Sequence, residues 1–249
     1  MTKTFDPGAI HRLAYDQTEG RGPGVVFLGG YASDKEGTKA LYLEDWAQRR
    51  GRAFLRFDYS GHGDSDGAFE DGTIGSWRDD AVAIIGSLTT GPQILVGSSM
   101  GGWISLLIAR DYPELVAGLV TVAAAPDFTI ELEAGLTDME RTALDRDGRI
   151  ERPSDYGPEP QIFTAGLIRD GERQQVLDRP LTLDIPVRFL QGTADADVAP
   201  RVATRLLDHA TGPDMRLTMV KGADHRFSGK DELALLVQAV EDVSARVRA

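Results

Sequence analysis

The sequence has no cysteine, which excludes a disulfide framework, a cysteine nucleophile and a thiolate-bound metal site. It also lacks an apolar run near the roughly 20 residues that a membrane-spanning helix needs, and its start lacks the apolar core of a signal peptide. The 39 acidic residues outnumber the 27 lysines and arginines, which gives a net charge of −12. Because an acidic surface repels phosphate backbones, nucleic acid is not expected as a partner. We expect a soluble cytoplasmic protein.

What the sequence does contain is a regular alternation of short apolar runs and longer helical ones. Its 249 residues, 41% of them hydrophobic, suffice for a sizeable core and suit one large α/β domain or two small ones. The alternation is typical of an α/β fold, a mainly parallel sheet with helices on both faces. It predicts strands at residues 25–28, 53–57, 93–96, 116–123, 186–190 and 215–220, helices at 39–50, 73–88, 100–110, 200–209 and 230–247, and an antiparallel strand or two before residue 25.

The alternation is interrupted between residues 126 and 183. This stretch is polar and rich in proline, with amphipathic pieces around residues 130–144 and 162–177. It is too long for an ordinary connection. We therefore expect a helical cap insertion at 126–183 and a core made of residues 1–125 and 184–249. A cap inserted late in such a sheet usually lies over the carboxyl ends of the strands, where ligands bind.

Two segments match the pattern Gly-x-Ser-x-Gly, around Ser65 and around Ser99. In a nucleophile elbow this pattern forms a tight turn with a strand directly before the serine and a helix directly after it. Ser99 has a predicted strand and helix in those places, whereas Ser65 lies in a loop rich in Gly and Asp. We expect Ser99 to be a nucleophile and Ser65 a loop serine. The simpler alternative for Ser99 is a glycine-rich turn without a reacting role.

A serine hydroxyl needs a base to take its proton, and the base after such an elbow is a histidine that follows the acid in the chain. His11 and His62 are excluded because they precede Ser99 in the chain. His209 lies near the end of a predicted helix, where a histidine can interact with the helix dipole. His225 lies in the loop after the last predicted strand. We expect His225 to be the base, with a surface histidine as the alternative.

The acid that orients the imidazole is expected in the loop after the strand at 186–190. Asp195 and Asp197 both lie there, and we favour Asp195, with Asp197 as an N-cap of the next helix. A turn or N-cap aspartate is the simpler alternative for Asp195. Asp127, after the strand at 116–123, is a third candidate. Asp224 adjoins His225 in sequence, which is a poor geometry for pairing with it.

An oxyanion hole needs two backbone N–H groups beside the developing charge. The N–H of Met100, directly after Ser99, is one candidate. The segment Gly29-Gly30-Tyr31 lets the backbone come close, so the Tyr31 N–H is the other. An ordinary tight turn is the alternative for the two glycines.

Three aromatic residues are possible acyl-pocket residues, although core packing is the simpler role for Trp103 and cap packing for Phe128 and Phe163. The segment Asp64-Ser65-Asp66 lacks the remaining ligands of a Ca²⁺ loop and is read as a solvated turn. No metal or organic cofactor is implied.

The ordered elbow, acid loop and histidine loop resemble the α/β-hydrolase superfamily. Longer strings resemble, within it, the mitochondrial abhydrolase-domain palmitoyl-protein thioesterases, also described as mycophenolic-acid acyl-glucuronide esterases. The strings are Gly37-Thr38-Lys39-Ala40, Arg56-Phe57-Asp58-Tyr59-Ser60-Gly61, Gly91-Pro92-Gln93-Ile94-Leu95-Val96-Gly97-Ser98-Ser99, Gly101-Gly102-Trp103 and Asp224-His225-Arg226.

The resemblance implies an α/β-hydrolase fold and serine hydrolysis of acyl thioesters or carboxylic esters, with Ser99 as nucleophile, Asp195 as acid and His225 as base. The substrate would be a small molecule or an acylated protein. Two other hypotheses remain. One is a non-catalytic ligand-binding protein that kept the fold. The other is a different reaction on the same three residues, such as cofactor-free peroxidation or C–C bond hydrolysis.

Overall fold

The computed structural model of the chain describes residues 2–6, 8, 11–154 and 157–247. Residues 155 and 156 of the predicted cap, and residues 1, 7, 9, 10, 248 and 249 of the predicted core, lie outside this description. The strands of the described residues are β1 (Lys3–Phe5), β2 (Leu13–Thr18), β3 (Arg21–Leu28), β4 (Arg52–Phe57), β5 (Gln93–Ser98), β6 (Val116–Val122), β7 (Arg149–Arg152), β8 (Gln161–Thr164), β9 (Leu181–Thr182), β10 (Val187–Gly192), β11 (Ala210–Thr211) and β12 (Met215–Val220). The α-helices are α1 (Thr38–Arg50), α2 (Ile74–Leu88), α3 (Met100–Asp111), α4 (Phe128–Ala134), α5 (Asp138–Asp147), α6 (Ala165–Arg173), α7 (Pro200–His209) and α8 (Lys230–Arg246).

A central sheet of eight strands organises the molecule, in the order β1-β2-β4-β3-β5-β6-β10-β12. The six strands from β4 to β12 run parallel, and β2 and β1 extend the sheet as antiparallel strands. The α/β prediction is confirmed, as is the antiparallel pairing before residue 25. Parallel strands place all their carboxyl ends on one edge, so the loops after β3, β5, β10 and β12 meet there.

Side-chain alternation along the strands divides the core into two layers. In β3, Val25 and Phe27 face the layer covered by α1 and α8, whereas Val26 and Leu28 face the layer covered by α2 and α3. This period of two is what a sheet buried on both faces requires. Trp77 of α2 and Trp103 of α3 are fully buried and fill the second layer.

The cap segment, defined as residues 126–183, contains more than the two amphipathic helical pieces predicted for it. The piece at 130–144 is divided between α4 and α5, because Thr137 and Glu140 form a reciprocal capping box that starts a new helix. The piece at 162–177 begins as strand β8, which pairs with β7 in an antiparallel hairpin, and α6 ends at Arg173. The division of the chain into a core and a cap domain stays a prediction.

Two buried carboxylates fasten the cap segment. Asp127 accepts hydrogen bonds from the N–H groups of Val176 and Leu177, both at 2.9 Å, which ties the two ends of the segment together. Asp170 on α6 accepts a bond of 2.7 Å from the Gly75 N–H in the first turn of α2. A carboxylate is stabilised at a helix N-terminus, so this contact joins α6 to the core.

No helix in the described part of the chain is long and apolar enough to cross a membrane.

His62 lies in a buried aromatic box on the core side of the cap segment. Its ring centroid is 5.6 Å from that of Tyr59 and 5.0 Å from those of Phe69 and Trp77, with the rings edge to face. Burial lowers the pKa of His62 to about 4, although the Ser60 carbonyl partly opposes the shift. The imidazole is therefore neutral in the folded protein at neutral pH.

We predict that Gly101→Ala destabilises the fold by about 1–3 kcal/mol, the usual range for overpacking. A Cβ at Gly101 would lie 2.1 Å from the Leu28 carbonyl oxygen and 2.5 Å from that of Gly29. Gly86→Ala in α2 is the matched control, because a Cβ there meets nothing within 4 Å. It should stabilise the protein by about 0.5–1 kcal/mol through helix propensity. Urea unfolding of the two variants measures both effects, and equal stabilities would contradict the packing at Gly101.

We predict that His62→Phe removes part of the acid sensitivity of the fold. The unfolded chain binds a proton at His62 below its ordinary pKa near 6.5, whereas the folded protein binds it only near 4. Stability from this residue is therefore full above pH 6.5 and falls between pH 6.5 and 4. The wild type should lose about 3 kcal/mol more than His62→Phe between pH 7 and 4. If urea unfolding shows that both proteins lose the same free energy of unfolding between pH 7 and 4, His62 is not buried in its neutral form.

Candidate active site

Ser99 is the single residue between β5 and α3. Ser98 ends the strand, Met100 begins the helix, and Ser99 has a φ of +54° and a ψ of −118°. Residues other than glycine rarely adopt these backbone angles. The two flanking glycines permit the tight turn, because a Cβ at Gly97 would lie 2.3 Å from the Gly101 carbonyl oxygen. The predicted elbow geometry is thus present at Ser99.

The structure brings Ser99, His225 and Asp195 together at the carboxyl edge of the sheet. The Nε2 atom of His225 lies 3.1 Å from Ser99 Oγ, and its Nδ1 atom lies 2.9 and 3.1 Å from the two carboxylate oxygens of Asp195. Asp195 comes from the loop after β10, and His225 comes from the loop after β12. At such distances a base can take a proton from a hydroxyl, and a carboxylate can orient the base.

The Asp195 carboxylate is buried and held by several donors. It accepts hydrogen bonds from the N–H groups of Asp197 (3.0 Å) and Val198 (2.8 Å) and from Gln191 Nε2 (2.8 Å). Burial acts to raise the pKa of Asp195, but the bonds from His225 and the Val198 N–H outweigh it, so the pKa lies below its ordinary value. The carboxylate is therefore charged at neutral pH and can stabilise an imidazolium.

The two predicted oxyanion donors lie on segments that border Ser99. Met100 is the first residue of α3, and the first N–H groups of a helix have no acceptor within it. Gly30 precedes Tyr31, and a Cβ at Gly30 would lie 3.4 Å from Ser99 Cβ. Both Tyr31 and Met100 line the same cavity as Ser99.

The competing serine and histidines lie in other environments. Ser65 Oγ donates to the Asp58 carbonyl oxygen at 2.7 Å and accepts from the Ala14 N–H at 2.9 Å, so it supports the loop structure. His62 is in the aromatic box described above. His209, the last residue of α7, contacts the Arg179 carbonyl oxygen through Nε2 at 2.7 Å.

The competing aspartates also have other partners. Asp127 holds the ends of the cap segment, and burial raises its pKa. Asp224 Oδ1 accepts from the Phe227 N–H at 3.1 Å. The prediction of Asp197 as an N-cap is wrong: α7 begins at Pro200, its N-cap is Ala199, and no side chain caps it. Proline suits the first position of a helix because it has no N–H that needs an acceptor there.

Asp195, Asp197 and His225 have ligand atoms within 4.8 Å of one another, as a shared metal ion would need. The ligand atoms of two of them already have partners. His225 Nδ1 bonds to Asp195, and both Asp195 oxygens accept further donors. We assign Asp195 and His225 to this hydrogen-bond network rather than to a metal site.

A cavity of about 700 Å³ opens above Ser99. Its lining combines aromatic and aliphatic residues with charged and polar groups from α1, the cap segment and the loops that carry Asp195 and His225. The apolar residues are Tyr31, Phe69, Ala125, Phe128, Ile162, Phe163 and Val198; the polar ones include Thr38, Lys39, Glu159, Gln161, Asp197, Arg226 and Ser228.

The aromatic predictions are partly corrected by this cavity. Trp103 is core, with Nε1 donating to the Gln174 carbonyl oxygen at 3.0 Å. Phe128 and Phe163 line the cavity rather than only packing within the cap segment, and Phe163 stacks on Tyr31 at 5.3 Å between centroids. Tyr31 also donates its hydroxyl to the Ile162 carbonyl oxygen, and burial raises its pKa well above the ordinary value.

Sequence reasoning missed three residues of this site. Gln191, at the end of β10, has no sequence signal for its role, yet its amide holds Asp195. Phe69 lies in the loop rich in Gly and Asp, and an aromatic residue in such a loop is the signal that could have identified it. Lys39 was seen only in a string that resembled relatives, although it lines the cavity.

Comparison with known proteins agrees with this architecture. Residues 24–145 match the sequence profile of the family described as serine aminopeptidase, S33. Bovine palmitoyl-protein thioesterase ABHD10, mitochondrial, is 37% identical over 235 residues, which are 94% of this chain and 77% of the relative. The human protein of the same name gives the same identity and coverage.

Two solved structures match over nearly the whole chain. Mouse alpha/beta hydrolase domain-containing protein 10 superimposes with a TM-score of 0.92 at 33% identity, covering 100% of both chains. A putative hydrolase from Agrobacterium vitis S4 gives 0.91 at 41% identity, covering 98% of each. The chain therefore belongs to the α/β-hydrolase superfamily and, within it, to the ABHD10 family, and it is a hydrolase.

Proposed function

We propose that this chain is a serine hydrolase that cleaves acyl thioesters or carboxylic esters through Ser99, His225 and Asp195. The observation that carries the proposal is the unbroken hydrogen-bond chain from Ser99 Oγ through the imidazole to the Asp195 carboxylate. A serine without such a chain is a poor nucleophile at neutral pH.

In the proposed acylation, His225 Nε2 takes the Ser99 proton as Oγ attacks the acyl carbonyl carbon. The carbonyl oxygen gains a negative charge, which the Met100 and Tyr31 N–H groups stabilise. When the tetrahedral intermediate collapses, the bond to the thiol or alcohol breaks, and His225 returns the proton to that leaving group. The product is an acyl ester on Ser99.

Deacylation repeats the same steps with water. His225 removes a proton from water as its oxygen attacks the acyl carbon, and the acid leaves when Ser99 regains the proton. Asp195 keeps the imidazole in the tautomer with hydrogen on Nδ1 and stabilises the cation. Its charge at neutral pH, maintained by the lowered pKa, is what this role needs.

The substrate class rests on the relatives and on the cavity. The ABHD10 relatives are named as palmitoyl-protein thioesterases, which supports a thioester or ester substrate, either a small molecule or an acylated protein. The aromatic and aliphatic residues that line the cavity support a substrate with an apolar acyl group next to Ser99. We keep the cytoplasmic location and the lack of a nucleic-acid partner as predictions. The relatives' names say mitochondrial, which is at odds with the first of them.

We predict that Ser99→Ala lowers kcat on p-nitrophenyl esters and matched acyl thioesters by about 10⁴–10⁶-fold, because the attacking oxygen is lost. Ser65→Ala is the matched control, since it changes the other Gly-x-Ser-x-Gly serine, and it should retain kcat. A series from short to long acyl chains then defines the preferred substrate. An inert wild type, or full activity in Ser99→Ala, would rule out the proposed reaction.

We predict that Asp195→Asn lowers kcat by about 10⁴-fold, because the amide favours the wrong imidazole tautomer. Asp197→Asn, in the same loop, tests the competing acid and should stay within about tenfold of the wild type. Steady-state kinetics on one good ester measures both. The reverse order of losses would make Asp197 the acid.

A further inference from the structure

Lys39 is the one lysine among the described residues that lines the cavity above Ser99. The chain has five lysines, at positions 3, 35, 39, 221 and 230. Lys39 is half-buried, lies in the first turn of α1 and lines the cavity above Ser99. The helix directly follows the segment that carries Tyr31. Lysine is seldom buried without a specific partner, so its contact needs an explanation.

The partner of Lys39 is the backbone next to the proposed base. Lys39 Nζ donates a hydrogen bond of 2.5 Å to the carbonyl oxygen of Arg226, the residue after His225. The loop is otherwise held by the bond from the Ala194 N–H to the Ala223 carbonyl oxygen (3.0 Å) and by the turn from Asp224 to Phe227. Lys39 therefore adds a link from α1 to the peptide that follows the imidazole.

Several charged groups surround the Lys39 ammonium. Burial lowers the pKa of Lys39 to about 8, with Asp224 acting to raise it and Arg226 to lower it. The same cavity is also lined by His225, Glu159 and Asp197, which lie on the His225 loop, the cap segment and the Asp195 loop. A charged donor makes a stronger hydrogen bond than a neutral one, so the link weakens when the ammonium loses its proton.

We propose that Lys39 is a positioning residue for the base: its charged bond to the Arg226 carbonyl fixes the loop that carries His225 relative to the segment that carries Tyr31. The inference rests on the proposed function of Ser99, His225 and Asp195. The bond joins α1, which follows the Tyr31 segment, to the loop that carries His225, and the reaction needs that segment and that loop in fixed positions. A displacement of about 1 Å in such a constellation can cost 10²-fold in rate.

The test compares Lys39→Met with Lys39→Arg and uses Lys221→Met as the matched control. Lys221 is exposed and lies in the same loop as His225. Lys39→Met should lower kcat by about 10- to 100-fold with little change in KM, with a Tm within about 3 °C of the wild type. Lys39→Arg, which keeps a charged donor, should recover most of kcat, and Lys221→Met should equal the wild type.

The pH profile separates positioning from mere packing. In the wild type, kcat/KM should fall as pH rises through about 8, where Lys39 loses its charge. In Lys39→Arg this fall should move to higher pH, because guanidinium stays protonated. An unchanged kcat in Lys39→Met, a loss confined to KM, or the same alkaline fall in all variants would overturn the positioning role.

A readout without substrate keeps this test separate from the test of the proposed function. The imidazole ¹⁵N resonances of His225 should shift or broaden in Lys39→Met and return in Lys39→Arg, but stay unchanged in Lys221→Met. If the wild type does not hydrolyse esters or thioesters, the proposed function is wrong. The His225 resonances then test by themselves whether Lys39 positions the His225 loop. If the wild type is active and its activity depends on Ser99, but the His225 resonances of Lys39→Met are unaltered, the positioning role is wrong and the proposed function stands.

Discussion

The strained backbone of Ser99 is the constraint on which the geometry of the site depends. A non-glycine residue at positive φ costs about 1–3 kcal/mol, and here it is held because β5 and α3 leave no room for another path. Gly97 and Gly101 lie where a Cβ would meet backbone oxygen, and the Ser99 N–H is fixed to the Val122 carbonyl oxygen at 2.9 Å. The strain directs the hydroxyl outward from the edge of the sheet and places the start of α3 beneath it.

The other parts of the site are arranged around that fixed hydroxyl by parallel strands. The loop after β12 brings His225 to the hydroxyl, and the loop after β10 brings Asp195 to His225. The loop after β3 places Gly30 and Tyr31 beside Ser99. The cap segment lines the cavity with Phe128, Ile162 and Phe163, and Phe163 stacks on Tyr31. Asp127 joins the two ends of the segment, and Asp170 joins it to α2.

Much of this arrangement could be predicted from the sequence, because it depends on local patterns. The helix at 200–209 and the strand at 215–220 agree with the structure at both ends. Ser99 was identifiable because a strand, a tight turn and a helix leave separate local signals. His225 followed from chain order, and the loop position of Asp195 followed from the strand before it.

The cap segment and the surroundings of the site were harder to predict, because they depend on contacts distant in sequence. The β7–β8 hairpin is set by pairing and by its contacts with Tyr31 rather than by strong alternation. The capping box of Thr137 and Glu140 is a local signal in the sequence for the start of a second helix. Asp197 does not cap α7, because its N–H bonds to the Asp195 carboxylate within the preceding turn and Ala199 takes the cap position. Lys39 has no local signature, since its partner lies 187 residues away.

The most direct test of the central claim is the site at which a fluorophosphonate probe becomes attached to the native protein, determined by peptide mass spectrometry. An activated serine reacts with such a probe, whereas ordinary serines do not. The account predicts one adduct per chain, located on Ser99. Absence of an adduct, or an adduct on another serine such as Ser65 or Ser98, would contradict it.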